Sequence, residues 1–392
     1  MERQKQNFLN ILNAYVNGTD IELEKPDYNE IFHLAKINSL EAVVYSTLKQ
    51  NKIVLEDTIM SKYENIFNAT VVYSVKQEYV ANEVIKLMTE HSIRHILFKG
   101  IVIKELYPTP ELRTMGDIDI IIDSENREKV YELLKNNGFE FDEYSSHSEV
   151  LNYKKNGVLF EIHTSLFEKE FFNGINLKEY YKSCFEHAVN INNLTYEFDV
   201  NEHFAYIILH MAKHFVDGGC GIRMLLDIVF YIKRHKDMDW EYIRSVLVQF
   251  GVWDFTECIL SIGIDLFNVK SPVEKVEVND KIIEYMIDGG VFGYEDKNLD
   301  AIRINEGDSS LAGRVIKMLK IIFPSHAELQ RRYSWAKSSP KILLPYGWLK
   351  MWHFRLFKQK EKSFERVKNA FLNNNDALKH LEMMKSVGLR KD

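Results

Sequence analysis

"ILFKGIVIKELYPTPELRTMGDIDIII", from Ile96 to Ile122, joins two signals that decide how the chain is read. An apolar run, "HILF", ends at Lys99-Gly100 and gives way to a helical pattern, "IVIKELYP". A second run, "DIDIII", sets aspartates in alternate positions of an otherwise apolar strand. Side chains two apart on a strand share a face, so Asp117 and Asp119 project together while Ile118 and Ile120 point the other way. Two carboxylates at that spacing repel, and one is pushed towards protonation unless a cation intervenes. Buried carboxylates are costly without compensation. The strand end is therefore either open to water, with incidental acids, or built around a cation.

The residues around it favour the cation. Gly100 lets the backbone approach a ligand closely, and a helix starting there presents free N–H groups and a positive dipole end to phosphate. Lys99 adds a point charge, and Arg113, on the approach to Asp117, offers another. A further candidate strand, "GVLFEIH", carries Glu161 with His163 on the same face. Three carboxylates on neighbouring strands make a site for one or two metals. A hard cation such as Mg²⁺, with Mn²⁺ as the alternative, takes oxygen ligands and keeps positions for substrate phosphates. For His163 two readings stand side by side: it orients Glu161 or touches phosphate, or it packs at the edge of the cleft.

The rest of the chain bounds the answer. It has 392 residues, 46% of them hydrophobic, with 50 basic and 57 acidic side chains. A formal net charge of −7 argues against a protein that coats nucleic acid, while leaving room for a local basic patch. Cys184, Cys220 and Cys258 lie far apart without a CxxC, so no disulfide framework or cysteine zinc site is expected. No signal peptide or membrane-span pattern is visible, and a cytoplasmic protein without integral membrane association is expected. Residues 1–75 read as an N-terminal helical segment and 76–200 as a catalytic core with a small mixed sheet. Residues 201–310 read as a helical domain and 311–392 as a basic tail containing Trp335, Trp348 and Trp352. The fold class expected is α+β. "SENREKVYELLKNNGF" reads as a helix stopped at Gly138, and "VNINNLTYEFDV" as a hairpin or short strands. The aromatics of the tail either touch a nucleic acid or membrane surface or pack inward beneath solvated lysines.

His210 and His214 stand one helical turn apart, and Cys220 is near in sequence, but no ligand set is complete there and the glutamate of a zincin motif is missing. They are expected at the edge of the active-site cleft near a nucleotide. Arg223 and Asp227 are i,i+4 neighbours, for which an intrahelical ion pair is the plain account. "DGGCG" follows a helix rather than a strand and does not read as a dinucleotide loop.

The stretch from Leu97 to Ile122 resembles the nucleotidyltransferase superfamily related to DNA polymerase β. More closely, "FKG", "Y…P…R…GDIDI", "FEIHTSL", "LHMAKHF…GIRMLLDI" and "IFPS…LLPYGWL" resemble the uncharacterised bacterial nucleotidyltransferases sometimes called family 5. The resemblance implies a nucleotidyltransferase-fold core in which Gly100 and the following helix start hold the triphosphate. It implies that Asp117 and Asp119 bind Mg²⁺, that Glu161 completes the site near the attacking hydroxyl, and that Arg223 and Asp227 lie beside the nucleotide. The sequence departs from the superfamily in two places: Ile101 follows the glycine where Ser or Gly is usual, and Glu161 stands where Asp is usual. The expected activity is transfer of a nucleoside monophosphate from a triphosphate, ATP first, to an acceptor hydroxyl on a small molecule, sugar or protein. The alternatives are an inactive nucleotide-binding module and a toxin–antitoxin or assembly protein working through the basic tail.

Overall fold

Val80, Val84 and Met88 recur with helical spacing, and in the computed structural model they lie on one helix that runs unbroken from Asp57 to Glu90 (α4). The structure describes residues 1–390 apart from 144, 147–148, 168–175, 272, 292, 294–315, 317–318, 321, 333–335, 337–338 and 358–373. Three shorter helices precede α4: α1 (Arg3–Asn17), α2 (Tyr28–Ile37) and α3 (Glu41–Gln50). Asp27 caps α2 by accepting from the Asn29 and Glu30 N–H groups, which satisfies donors that have no partner within the helix. The boundary expected at residue 75 falls inside α4, which continues for a further fifteen residues.

The sheet that follows is larger than expected. Its strands are β1 (His95–Leu97), β2 (Asp117–Ile122), β3 (Glu140–Asp142), β4 (Val150–Lys155), β5 (Val158–His163), β6 (Ala188–Asn192) and β7 (Thr195–Phe198), in the spatial order β3-β4-β5-β2-β1-β7-β6. β2 runs parallel to β5 and antiparallel to β1, while β1 runs parallel to β7. β1, β2 and β5 are those expected, and "VNINNLTYEFDV" forms the β6–β7 hairpin on the same sheet. The β3–β4 pair was not expected. β4 turns into β5 through Asn156-Gly157, both at positive φ (52° and 83°), which is the chemistry of a two-residue hairpin.

A single turn of helix, α5 (Gly100–Ile103), follows β1, and α6 (Arg127–Asn136) follows β2. Gly138, at φ 78°, ends the latter as expected. Ile118, Ile120, Phe160 and Ile162 point to one side of the sheet and pack against α6 and the second half of α4. Ile96, Phe98 and Ile121 point to the other and join a core built with the N-terminal helices and with α8 (Val200–Asp217), α9 (Ile222–Arg234), α10 (Trp240–Gln249), α11 (Trp253–Phe267) and α12 (Asp280–Gly289). A one-turn helix, α7 (Leu177–Tyr180), lies before β6. This is an α+β fold.

In the tail, α13 (His326–Arg332) and α14 (Leu344–Phe357) form a small satellite cluster. The indole of Trp348 donates to the Pro324 carbonyl (2.9 Å) and that of Trp352 to Ile322 (3.2 Å), so these two aromatics pack inward. Trp335 lies outside the described residues. Tyr346 and Leu349 stay exposed on α14. The last helix, α15 (Asn374–Ser386), returns to the main core through Met383 and Met384. Among the described residues no helix is long and apolar enough to cross a membrane.

Phe160 is fully buried on the face of β5 opposite Glu161. Phe160→Ala is expected to cost about 3–5 kcal/mol, read as a lowered denaturant midpoint with an unchanged slope.

Candidate active site

β2 and β5 run parallel in a register that sets Asp119 directly beside Glu161 and Ile121 beside His163. The period of two then gathers Asp117, Asp119, Glu161 and His163 on one face. Asp119 is buried (4% exposed), as is His163 (6%). Lys99 reaches this pair from the end of β1, donating from Nζ to Asp119 Oδ1 at 2.6 Å. His163 Nε2 donates to the same oxygen at 2.9 Å and lies 3.3 Å from Glu161 Oε2. The edge of the Phe98 ring closes the back of the cluster against His163.

The titration of each group follows from this packing. Burial alone would raise the Asp119 carboxyl, but the Lys99 charge and the His163 hydrogen bond outweigh it and hold it down at about 2. Burial lowers Lys99, yet Asp119 more than offsets that, so the ammonium is held charged. His163 is likewise raised: burial opposes its charge, and its bonds to Asp119 and Glu161 prevail. Asp117 has no such partner among the described residues. Burial raises its carboxyl, Asp119 and Glu161 add repulsion, and it reaches about 6.

Lys99 itself sits at φ 56°, ψ −130°, a backbone conformation that glycine adopts readily and other residues avoid. The strain aims its side chain at Asp119 while its carbonyl accepts the Val102 and Ile103 N–H groups of α5. A methyl group on Gly100 would lie 2.8 Å from the Met115 sulfur and 2.9 Å from Arg113 Nη1. A larger residue there would have to displace the Met115 and Arg113 side chains.

Arg113 is not free for a ligand. Its Nε and Nη2 donate to the two Asp227 carboxylate oxygens at 3.0 and 2.8 Å, and Tyr107 donates to the same carboxylate at 2.7 Å. This buried clamp ties the approach to β2 onto α9. The intrahelical Arg223–Asp227 ion pair expected from spacing is replaced by it: Arg113, 114 residues away in sequence, has the bidentate geometry. Arg223 instead donates from Nη1 to the hydroxyl and carbonyl of Thr114, at 2.9 and 3.2 Å. Its buried Nε has no hydrogen-bond partner among the described residues. Burial and the charge of Arg113 lower Arg223 to about 10.

His210 and His214 pair with each other, Nε2 to Nε2 at 3.1 Å, and His210 stacks on Tyr206. Burial and nearby cations depress both: His210 lies well below its usual range, and His214 is at about 4 through burial, Lys213 and Lys99. They are neutral side chains on α8, within the electrostatic reach of Lys99.

One group among the described residues places His, Cys, Asp or Glu ligand atoms close enough to share an ion: Asp119, Glu161 and His163, all within 4.8 Å of one another. Two carboxylates and an imidazole suit a divalent cation. Asp117, expected as a ligand, stands outside that group at the mouth of the strand, and His163 stands inside it.

An α+β chain with a lysine, a histidine and three acids converging on two parallel strands carries the chemistry of charge-stabilised group transfer. It belongs to a family of uncharacterised nucleotidyltransferases, whose model matches residues 24–268. Among solved structures, a tRNA nucleotidyltransferase complexed with a primer tRNA and an incoming ATP analogue is 13% identical, with a TM-score of 0.23 over 78% of this chain and 100% of that one. A tRNA-processing enzyme in an apo form is 12% identical, with a TM-score of 0.21 over 80% and 98% of the two chains. At these values neither bears on what this chain acts upon. No curated protein matches the sequence.

Two outcomes follow from the geometry. Asp227→Ala strands the buried Arg113 charge and is expected to cost about 3–5 kcal/mol, measured by urea unfolding. Asp117 has a raised carboxyl in the folded chain, so its ionisation opposes folding as pH rises through about 6. In chelator, Asp117→Asn is therefore expected to melt above wild type at pH 8. The gap should narrow as the pH falls below about 4, where the wild-type carboxyl is protonated folded or unfolded; paired melting curves at the two pH values test this.

Proposed function

We propose that the protein transfers a nucleoside monophosphate from a nucleoside triphosphate to an acceptor hydroxyl, releasing pyrophosphate. The observation that carries this reading is the convergence of Lys99 and His163 on Asp119, with Glu161 alongside, in a chain of a nucleotidyltransferase family.

In this reading Asp119 and Glu161, with Asp117 at the rim and His163 beside them, hold Mg²⁺ or Mn²⁺. Such a cation supplies positive charge to the phosphate oxygens and to the attacking oxygen. Lys99 stands where its ammonium is shared between Asp119 and the phosphates, stabilising charge that spreads over their oxygens in the transition state. In this reading the Gly100 and Ile101 N–H groups, which open the helical turn after Lys99, meet phosphate oxygens. His163 keeps Asp119 and Glu161 in position. Glu161 is part-exposed, and in this reading it meets the acceptor hydroxyl and accepts its proton. In this reading Arg223, His210 and His214 serve as nucleotide contacts from α8 and α9. Gly100 and the Arg113–Asp227 clamp hold the loop from behind. The donor is ATP in the first instance, and the acceptor is a small molecule, a sugar or a protein.

Asp119→Asn is expected to lower transfer at least about a hundredfold, the scale of losing an electrostatic catalytic element. The measurement is pyrophosphate release with Mg²⁺ once an acceptor is found. Before that, binding is tested by the melting-temperature rise with each ribonucleoside triphosphate, in Mg²⁺ and in chelator. A ligand at about 100 times its Kd stabilises by roughly 2.7 kcal/mol. Near-wild-type transfer by the variant would refute the assignment.

A further inference from the structure

Against Arg113 and Thr114 lies a cavity of about 250 Å³ that none of the roles above uses, walled by the middle of α4 and the approach to β2. Its position ties it to both halves of the site. Thr114, which lines it, is the residue Arg223 binds at 2.9 Å. Arg113 forms a common wall between the cavity and Gly100. Gln77 fixes the α4 wall by donating from Nε2 to the Met115 carbonyl at 3.1 Å, two residues before Asp117.

The feature that marks it as a binding site is Ser74. On the same helix, Ser61 and Thr89 each donate to the carbonyl four residues back, at 2.8 Å in both cases. That local bond is the ordinary resting place of a helical hydroxyl. Ser74 does not make it: its Oγ is buried, with the residue 4% exposed, and has no hydrogen-bond partner among the described residues. A buried polar group left unpaired is unfavourable, and Ser74 is among the residues that line the cavity.

The walls specify the ligand's chemistry. Ile66, Ala69 and the Tyr73 ring give an apolar, partly aromatic surface. The cation in the wall, Arg113, is committed to Asp227, and Glu111 contributes a carboxylate. A phosphate is therefore disfavoured, and a neutral ring with hydrogen-bonding edges is favoured. The volume lies below the roughly 300–1,000 Å³ of sites that enclose a whole drug-sized ligand, which suits one ring system.

We propose that this cavity receives the base of the donor nucleoside triphosphate, with Ser74 Oγ bonding its edge. The proposal rests on the transfer reading above and adds the cavity between α4 and the approach to β2 as the determinant of base choice.

The test titrates the full chain, in Mg²⁺, with ATP, GTP, CTP, UTP and inorganic tripolyphosphate. The expected result is that at least one nucleotide binds at least about tenfold more tightly than tripolyphosphate, a difference of about 1.4 kcal/mol. Ala69→Phe, which fills the cavity, should abolish that advantage and leave tripolyphosphate binding unchanged. Ser74→Ala should weaken the preferred nucleotide by about threefold to tenfold, the scale of one hydrogen bond, without lowering the melting temperature of the unliganded protein. A merely structural serine would instead lower the melting temperature and spare affinity. Should Ala69→Phe fail to fold, Ser74→Ala decides alone. Nucleotides that bind no better than tripolyphosphate, or that keep their advantage in these variants, would overturn the proposal and leave the transfer reading standing. If neither tripolyphosphate nor any nucleotide binds wild type, the transfer reading itself fails and the proposal with it.

Discussion

Asp119 is buried as an anion, and the pair of donors that holds its Oδ1, Lys99 and His163, sets the terms for the surrounding structure. A carboxylate removed from water is stable only with such compensation. Both donors must be brought to one oxygen, so β1 has to end beside β2 and β5 has to lie parallel to β2 in the register that aligns His163. The strained backbone at Lys99, the glycine after it and the edge contact of Phe98 all serve that convergence. The charge is then distributed unevenly: Asp119 is firmly ionised, while Asp117, without a donor of its own, is held near neutrality's edge by its acidic neighbours.

A second ion pair does a different kind of work. Arg113 and Asp227 are joined by two hydrogen bonds and covered on one side by Tyr107, so the segment leading into β2 is fixed to α9. Buried pairs of this kind add little net stability over an apolar replacement but are costly to break singly. Here the pair also packs Arg113 against Gly100. The loop at Lys99-Gly100 is thus positioned partly by a helix that lies more than a hundred residues further along the chain.

What could be read in advance follows from what is local. A two-residue period determines which side chains share a strand face, whatever surrounds the strand, so the sequence alone pairs Asp117 with Asp119 and Glu161 with His163, while the β2–β5 register brings the two pairs together. Lys99-Gly100 was visible because an apolar run ending in glycine is a local event. The partner of Asp227 was not: spacing pointed to Arg223, whereas tertiary packing delivered Arg113. β4 escaped because "VLNYKK" is short and polar on its outer face, although Asn156-Gly157 carried a hairpin signal. The unpaired hydroxyl of Ser74 had no signature at all, since a serine on a helix ordinarily finds its own backbone.

The unbroken course of α4 has a mechanical consequence. At 1.5 Å per residue its thirty-four residues span about 50 Å. Ile59 and Tyr63 belong to the core of the N-terminal helices, and Val80, Val84 and Met88 to the core beneath the sheet. Helices bend sharply at proline, at glycine pairs or at bulges, and α4 contains neither proline nor glycine. It acts as a stiff beam between the two cores and leaves no hinge between them. The part of α4 that walls the cavity beside Arg113 therefore keeps its position relative to both cores.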